Sequence, residues 1–263
     1  DDEPSLASRV NWGNFNNAYP YIAIPGHPIA MFYGHIFDGV YQYTDFDKVG
    51  ESYILKDGVP NNGNAREKIQ PGDIKFKDIN RDGVVNDYDL TIIGNPNPKH
   101  IGGFGNNFQY KNFDLNVFFQ WSYGGDVLNA NRIEFEGGDP NARTSLNMFA
   151  SFANRWTPEN QTNELYRIGG QGPAVYSSRT IEDGSFLRLK TVSLGYRLPN
   201  AWLKKINIKS LRVYASAQNL ITWTRYSGPD PEVSTRPTAL TPSFDWSPYP
   251  RPRTLTLGVD ISF

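Results

Sequence analysis

Apolar and polar residues alternate strictly over much of this chain. From Thr254 to Phe263, Leu255, Leu257, Val259, Ile261 and Phe263 fall on one side and Thr254, Thr256, Gly258, Asp260 and Ser262 on the other. That is the period-two signature of a strand with two chemically different faces. Phe113, Leu115, Val117, Phe119 and Trp121 repeat it, opposed by Asp114, Asn116 and Gln120, with Phe118 the apolar exception. This run and "HIGGFGNNFQY" flank Lys111 and predict a tight hairpin. "FLRLKTVSLGYRLP" and "IKSLRVYASAQNLITW" predict a second, with Pro199, Asn200, Lys204 and Lys205 in its connection. Val192, Leu194, Tyr196 and Leu198 share one face there, opposite Thr191, Ser193, Gly195 and Arg197. Ile29 to Tyr43 predicts a further aromatic strand region, with Gly34 and Gly39 as bends. Helical spacing is confined to Thr144–Trp156, where Leu146, Phe149, Phe152 and Ala153 predict one short helix inside a long loop.

The predicted strands run to roughly ten residues, the length a tilted strand needs to cross a bilayer. Strands of soluble proteins average nearer about five or six. Connections near Lys111 and Pro199 are short, whereas 44–99, 125–180 and 226–250 are long and rich in Gly, Pro, Asn and Asp. Short turns at one end and long loops at the other are the asymmetry of membrane barrels. The expected fold is therefore all-β: an antiparallel transmembrane β-barrel segment with long extracellular loops and short periplasmic turns. Roughly six to eight strands are expected, against about eight in the smallest closed barrels. Closure within this chain thus requires further strands hidden in the long loops. The last of these, Tyr226 to Arg253, holds seven prolines, which cannot pair in a central ladder.

Composition leaves one rival. Hydrophobic residues make up 38% and aromatics 14% of the 263 residues, and mean hydropathy is -0.54. Alternation gives a low average while still building a continuous apolar face, in membrane barrels and in soluble antiparallel sandwiches alike. Net charge is -1, from 26 basic and 27 acidic residues, which is no footprint for nucleic acid. Cysteine is absent, which excludes disulfides, thiolate metal sites and a cysteine nucleophile. No run is long enough for a transmembrane helix. The chain opens on Asp1 without a signal peptide, as expected of a processed protein or a piece of a longer one.

The loudest local motif is "DINRDGVVNDYD", Asp78 to Asp89. Its spacing is that of a calcium loop, with Asp78, Asn80, Asp82, the Val84 carbonyl, Asn86 and Asp89 as ligands and Gly83 at the sharp turn. The bland alternative is an Asx-rich turn without metal. No flanking helix pair is predicted, so a bound Ca²⁺ would stiffen the loop rather than signal. Tyr41, Tyr43, Phe119, Trp121, Trp202, Trp223 and Trp246 fit interfacial girdles or packing better than sugar stacking. Trp246 and Tyr249, in the proline-rich loop, are the candidates for ligand or lid contact. Glu134, Glu136 and Asp139 are expected on a solvated loop surface. His27, His35 and His100 are scattered, and no Ser/His/Asp set, zinc spacing or phosphate loop is visible. "GGFGNN" lies in a strand pattern without a following helix, which argues against dinucleotide binding. No enzymatic activity is expected.

From about residue 25 onward the chain resembles the C-terminal portion of SusC/RagA-type TonB-dependent outer-membrane transporters of Bacteroidota. The likeness rests on Gly26–Gln42, on Pro71–Ala130 with its Ile-Gly-Asn-Pro-Asn-Pro element, and on the last strands in order. The resemblance implies a multi-pass outer-membrane barrel importing glycans, oligosaccharides or peptides. Its implied partners are a SusD-like surface lipoprotein, the TonB complex and outer-membrane lipid. It also implies that residues 1–263 are the C-terminal barrel part, lacking the plug, and that Phe263 is the aromatic read during barrel assembly. Residues 1–25 match least. The rival function is a secreted, soluble β-sandwich carbohydrate-binding module with a calcium-stabilised loop.

Overall fold

The computed structural model describes residues 10–13, 15, 18–137, 146–172, 176–204, 207–236 and 238–263. Its strands begin with β1 (Val10–Trp12), β2 (Tyr21–Ala23), β3 (Met31–Gly34), β4 (Phe37–Val40), β5 (Phe46–Val49) and β6 (Ser52–Leu55). β7 (Ile74–Phe76), β8 (Thr91–Gly94), β9 (His100–Tyr110), β10 (Phe113–Tyr123) and β11 (Asp126–Asn129) follow, then helix α1 (Ala130–Glu136). The chain continues through β12 (Ile181–Asp183), β13 (Phe186–Arg197), helix α2 (Asn200–Leu203), β14 (Ser210–Thr224), β15 (Phe244–Asp245) and β16 (Thr254–Ser262). No helix among the described residues is long and apolar enough to cross a membrane. The chain divides into two units, one comprising 1–97, 126–182 and 233–248, the other 98–125, 183–232 and 249–263.

The second unit is an open antiparallel sheet in the order β16-β14-β13-β10-β9. Its strands are 9 to 15 residues long. Five strands of this length are present among the described residues, fewer than the expected six to eight. The alternation read from sequence becomes cross-strand ranks. Tyr110, Phe113, Tyr196, Val213 and Val259 stand side by side. Next come Phe108, Leu115, Leu194, Ala215 and Leu257, and then Val117, Val192, Ala217 and Leu255. Phe104, Phe119, Leu189 and Ile221 form the fourth rank, and Trp121, Leu187 and Trp223 the fifth. The opposite face carries Asp114, Asn116, Ser193, Ser216 and Thr256. The apolar face is open: Leu255, Leu257 and Phe263 are 76%, 85% and 76% exposed.

A bulge breaks the ladder at Lys190, so two β13 residues oppose one of β10. This explains a phase break in the sequence. Leu187 and Leu189 hold the apolar face before the bulge, and Val192, Leu194 and Tyr196 hold it afterwards. An extra residue restores the pattern after a slip that would otherwise put every later side chain on the wrong face. At the hairpin between β9 and β10, Lys111 takes a left-handed φ of 54°.

The first unit gathers the long connections, which hide strands of their own around apolar clusters. One cluster joins Tyr21, Phe32, Leu128, Ile133, Tyr176 and Phe244. A second joins Val40, Ile74, Phe76, Val85, Trp156, Leu165 and Tyr166. The predicted strand region 29–43 is broken into β3 and β4, Gly39 bends at φ 93°, and Tyr41 is fully buried. Tyr41 is therefore a core residue rather than a girdle one. The predicted helix Thr144–Trp156 is corrected: only a 3₁₀ turn, Ala150–Asn154, forms there. Phe149 is extended, and its N–H donates to the Phe135 carbonyl at 3.0 Å instead of continuing a helix. Thr144 and Ser145 lie outside the described residues, as do 1–9 of the unassigned N-terminal stretch. Among the described residues the one regular helix of this unit is α1, which carries a sequence without a marked helical stripe.

Candidate functional site

The loop Asp78–Asp89 is built from side chains folded back on their own backbone. Asp78 accepts from the N–H groups of Arg81 (2.6 Å) and Gly83 (2.8 Å). Asn80 accepts from Asp82 N–H (3.0 Å), and Asp82 from Val84 N–H (2.8 Å). Asn86 accepts from Tyr88 N–H (2.8 Å), and its amide donates to the Val84 carbonyl (3.1 Å). Asp89 is fully buried and takes N–H donors from Ile79 (2.7 Å) and Asn86 (2.9 Å). Gly83 sits at φ 84°, which a residue with a Cβ rarely adopts. Val85 is anchored in the second apolar cluster, and its N–H donates to Asn61 at 3.0 Å. The donor set is hard oxygen, the chemistry calcium takes, and the side-chain oxygens of Asp78, Asn80 and Asp82 each retain a further lone pair, whereas Asp89 Oδ1 already accepts from both Ile79 and Asn80 N–H. Among the described residues no group of three His, Cys, Asp or Glu converges as a ready metal cluster.

The two lid candidates differ. Trp246 is 40% exposed and meets Phe15 edge-on at 5.5 Å, so it is part of the first unit's packing. Tyr249 belongs to the second unit and is 92% exposed. Tyr43 packs against Trp156, with centroids 5.5 Å apart. Phe119, Trp121 and Trp223 lie on the apolar face of the large sheet, and Trp202 is exposed on α2.

The strongest charged constellation escaped the sequence reading. Arg188, on the polar face of β13, is only 2% exposed. Its guanidinium meets Asp230 at 2.6 Å and Glu232 at 3.1 Å, and donates to the Thr222 hydroxyl at 3.0 Å. Arg251 closes the square, 3.3 Å from Asp230 and 2.8 Å from Glu232. Lys190, at the bulge, donates to Gln120 on the neighbouring strand. The stretch around Asp230 and Glu232 is thus fastened to the polar face of its own sheet at the long-connection end. At the short-turn end Arg212 bridges Asp114 (2.9 Å) and Asp260 (3.2 Å) across the strands. The signal available in sequence was a charged pair, Arg188 and Lys190, inside an alternating strand. The acidic partners of Arg188 lie 42 and 44 positions further on, and the Lys190 partner, Gln120, lies 70 positions earlier.

In the first unit Glu136 corrects the expectation of a solvated carboxylate. It is buried, bonded to Arg179 at 2.7 Å, to Arg132 at 2.9 Å and to the Ser151 hydroxyl at 2.7 Å. Burial pushes its pKa up, but the Ser151 hydrogen bond and the two arginines outweigh it and hold the carboxyl below its ordinary value. Arg132 stands one turn before Glu136 on α1, so the helix itself sets half of the site. Glu134 is half-buried, and Asp139 lies outside the described residues. Burial lowers the pKa of His35, whose ring lies 5.2 Å from Phe76. His27 is exposed, and His100 pairs with Trp121. Gly102, Gly103 and Gly105 all lie within β9.

No family model matches the chain. Among curated proteins it is 36% identical over 95% of its length to TonB-dependent receptor P3 of Formosa agariphila, covering 24% of that protein. It is 32% identical over 75% of its length to TonB-dependent receptor SusC of Bacteroides thetaiotaomicron, covering 18% of it. Among solved structures, the RagAB peptide transporter matches 97% of this chain and 24% of its own, with a TM-score of 0.69 and 25% identity. The chain therefore spans about a quarter or less of the proteins it matches.

Proposed function

This chain belongs to the SusC/RagA-type TonB-dependent receptors, and on that premise we propose that its second unit is a stretch of outer-membrane barrel wall in a TonB-dependent importer. The observation that carries the reading is the five-stranded sheet with five apolar ranks on one face and polar residues on the other. From Phe113 to Trp121 the strand advances eight residues, about 27 Å at ~3.4 Å each. At a tilt of about 40° this gives roughly 20 Å of apolar height, close to the band of an outer-membrane barrel. Aromatic residues close the band at both ends, Tyr110, Phe113 and Tyr196 at the short turns and Trp121, Tyr123 and Trp223 at the long connections. Such girdles sit where rings meet both hydrocarbon and headgroups. A soluble sandwich would need a second sheet over the apolar face, and the exposure of Leu255 and Leu257 speaks against one.

In this reading the polar face lines the lumen, and the Arg188 cluster holds the loop from Tyr226 against the wall. The complete receptor would take up glycans, oligosaccharides or peptides, work with a SusD-like surface lipoprotein and draw energy from the TonB complex. The loop at 78–89 would bind Ca²⁺ as a stiffening ion, through Asp78, Asn80, Asp82, Val84, Asn86 and Asp89. What supports this is the oxygen-only donor set on a loop already docked through Val85. Trp246 and Tyr249 are the proposed ligand or lid contacts.

The wall is tested by single-cysteine labelling of the full receptor in cells, since these 263 residues contain no cysteine. Cysteine at Leu115, Leu194 or Leu257 should react with a membrane-dissolved maleimide and resist a water-soluble one. Cysteine at Asn116, Ser193 or Thr256 should show the reverse. Water-soluble labelling of both sets would refute the wall.

A further inference from the structure

At the long-connection end of the second unit's sheet, the apolar face ends in a shallow dish of about 700 Å³. We propose that this dish binds the phosphate-bearing headgroup of an anionic membrane lipid. The inference rests on the wall reading above and adds a specific occupant.

The dish is made from the last apolar rank and the residues just beyond it. Trp121 and Trp223 stand on either side of Leu187 in one cross-strand row. Gly102 lies opposite Trp121, and a Cβ there would run into the indole, so the missing side chain makes the room the ring occupies. Trp223 is 49% exposed and Tyr123 53%, so each offers an open ring face. Below them the wall continues without interruption into Phe119, Leu189 and Ile221, a surface for acyl chains.

The rim changes chemistry. His100 stacks on Tyr123 with centroids 5.1 Å apart, and its Nδ1 accepts from Trp121 Nε1–H at 3.1 Å. A neutral imidazole accepting at Nδ1 carries its proton on Nε2, which leaves a donor. Arg225 lines the same dish and makes no hydrogen bond or ion pair with any described residue. Asp183 is the one carboxylate of the lining, and one of its oxygens is taken by Ser185 N–H at 2.9 Å. The combination is specific in kind. Aromatic rings suit the boundary between hydrocarbon and headgroups, and a free guanidinium matches phosphate oxygens in a fork geometry. A zwitterionic headgroup brings its own cation next to that phosphate and so gains less from Arg225.

The test uses the full-length receptor in phosphatidylcholine bilayers doped with chain-brominated phosphatidylglycerol or chain-brominated phosphatidylcholine. Quenching of Trp223 is read as the difference between the native protein and Trp223→Phe. The anionic lipid should quench about fivefold more effectively at equal mole fraction, the equivalent of the ~1 kcal/mol one basic side chain contributes beside an anionic lipid. Arg225→Gln should bring the two lipids to parity, and Arg225→Lys should retain a preference. Parity in the native protein, or a preference that survives Arg225→Gln, overturns the proposal. So does loss of the preference on adding inorganic phosphate at constant ionic strength, because the ligand would then be phosphate rather than lipid. If neither lipid quenches Trp223, the wall reading fails as well; if both quench equally, only this inference falls.

Discussion

Replacing Arg188 by methionine is the sharpest perturbation the structure offers. The guanidinium is almost fully enclosed and holds two carboxylates from a segment more than forty residues away. At an effective dielectric of about 20, the gross attraction is ~6 kcal/mol at 2.6 Å and ~5 kcal/mol at 3.1 Å. Desolvation of the three charges offsets much of that, so the pair itself is a weak argument for stability. Removing one partner is different, because Asp230 and Glu232 stay partly buried and lose their main cation. Breaking a buried pair costs about 3–5 kcal/mol. Arg251 remains beside both acids and lowers the expected cost to roughly 2–3 kcal/mol. The cost falls on the loop rather than on the sheet, whose ladder is untouched. Amide exchange at 226–232 in the full receptor should therefore accelerate about 30- to 150-fold, while β13 and β14 exchange as before. Adding Asp230→Asn to Arg188→Met should recover part of the loss, giving a coupling of about 1–3 kcal/mol. Acceleration of less than about threefold, or strict additivity of the two substitutions, would refute the latch.

Two further outcomes follow from the first unit. Asp89→Ala strips a fully buried acceptor from Ile79 and Asn86 N–H and should cost about 2–4 kcal/mol. Proteolysis at 73–99 should then speed up. Chelation by EDTA should do the same to the native loop while the large sheet stays folded, and equal cleavage with and without EDTA would count against a bound ion. Glu136 sets a pH dependence. Its folded-state pKa lies below the unfolded one, so its contribution is complete above the ordinary carboxylate range and is lost as pH falls through that range to the lower folded value. Fluorescence of buried Trp156, followed on acidification, should show this loss, and Glu136→Gln should remove that part of the pH profile.

The large sheet was legible in the sequence because each of its strands has two unlike faces. Leu255 to Phe263 or Phe113 to Trp121 declare their direction by alternation alone, and the register then lines up ranks that were already written. The break between Leu189 and Val192 was visible only as a lapse, and the bulge at Lys190 is its cause. The long connections were not legible. Their strands are mostly three or four residues, too short for a period to show, and fully buried segments such as Met31–Gly34 do not alternate. Polar partnerships were the least legible. Glu136 read as a surface acid until Arg179 arrived from 43 positions away, and Arg188 drew no reading of its own until Asp230 and Glu232 closed on it. The sequence by itself determined which residues face apart across each long strand, and that the 78–89 loop carries oxygen donors at fixed spacing. Only the tertiary structure decided which charges are buried together and which aromatic rings are core. Alternation is a property of neighbours along the chain, whereas burial and charge pairing depend on groups that distance in sequence does not relate.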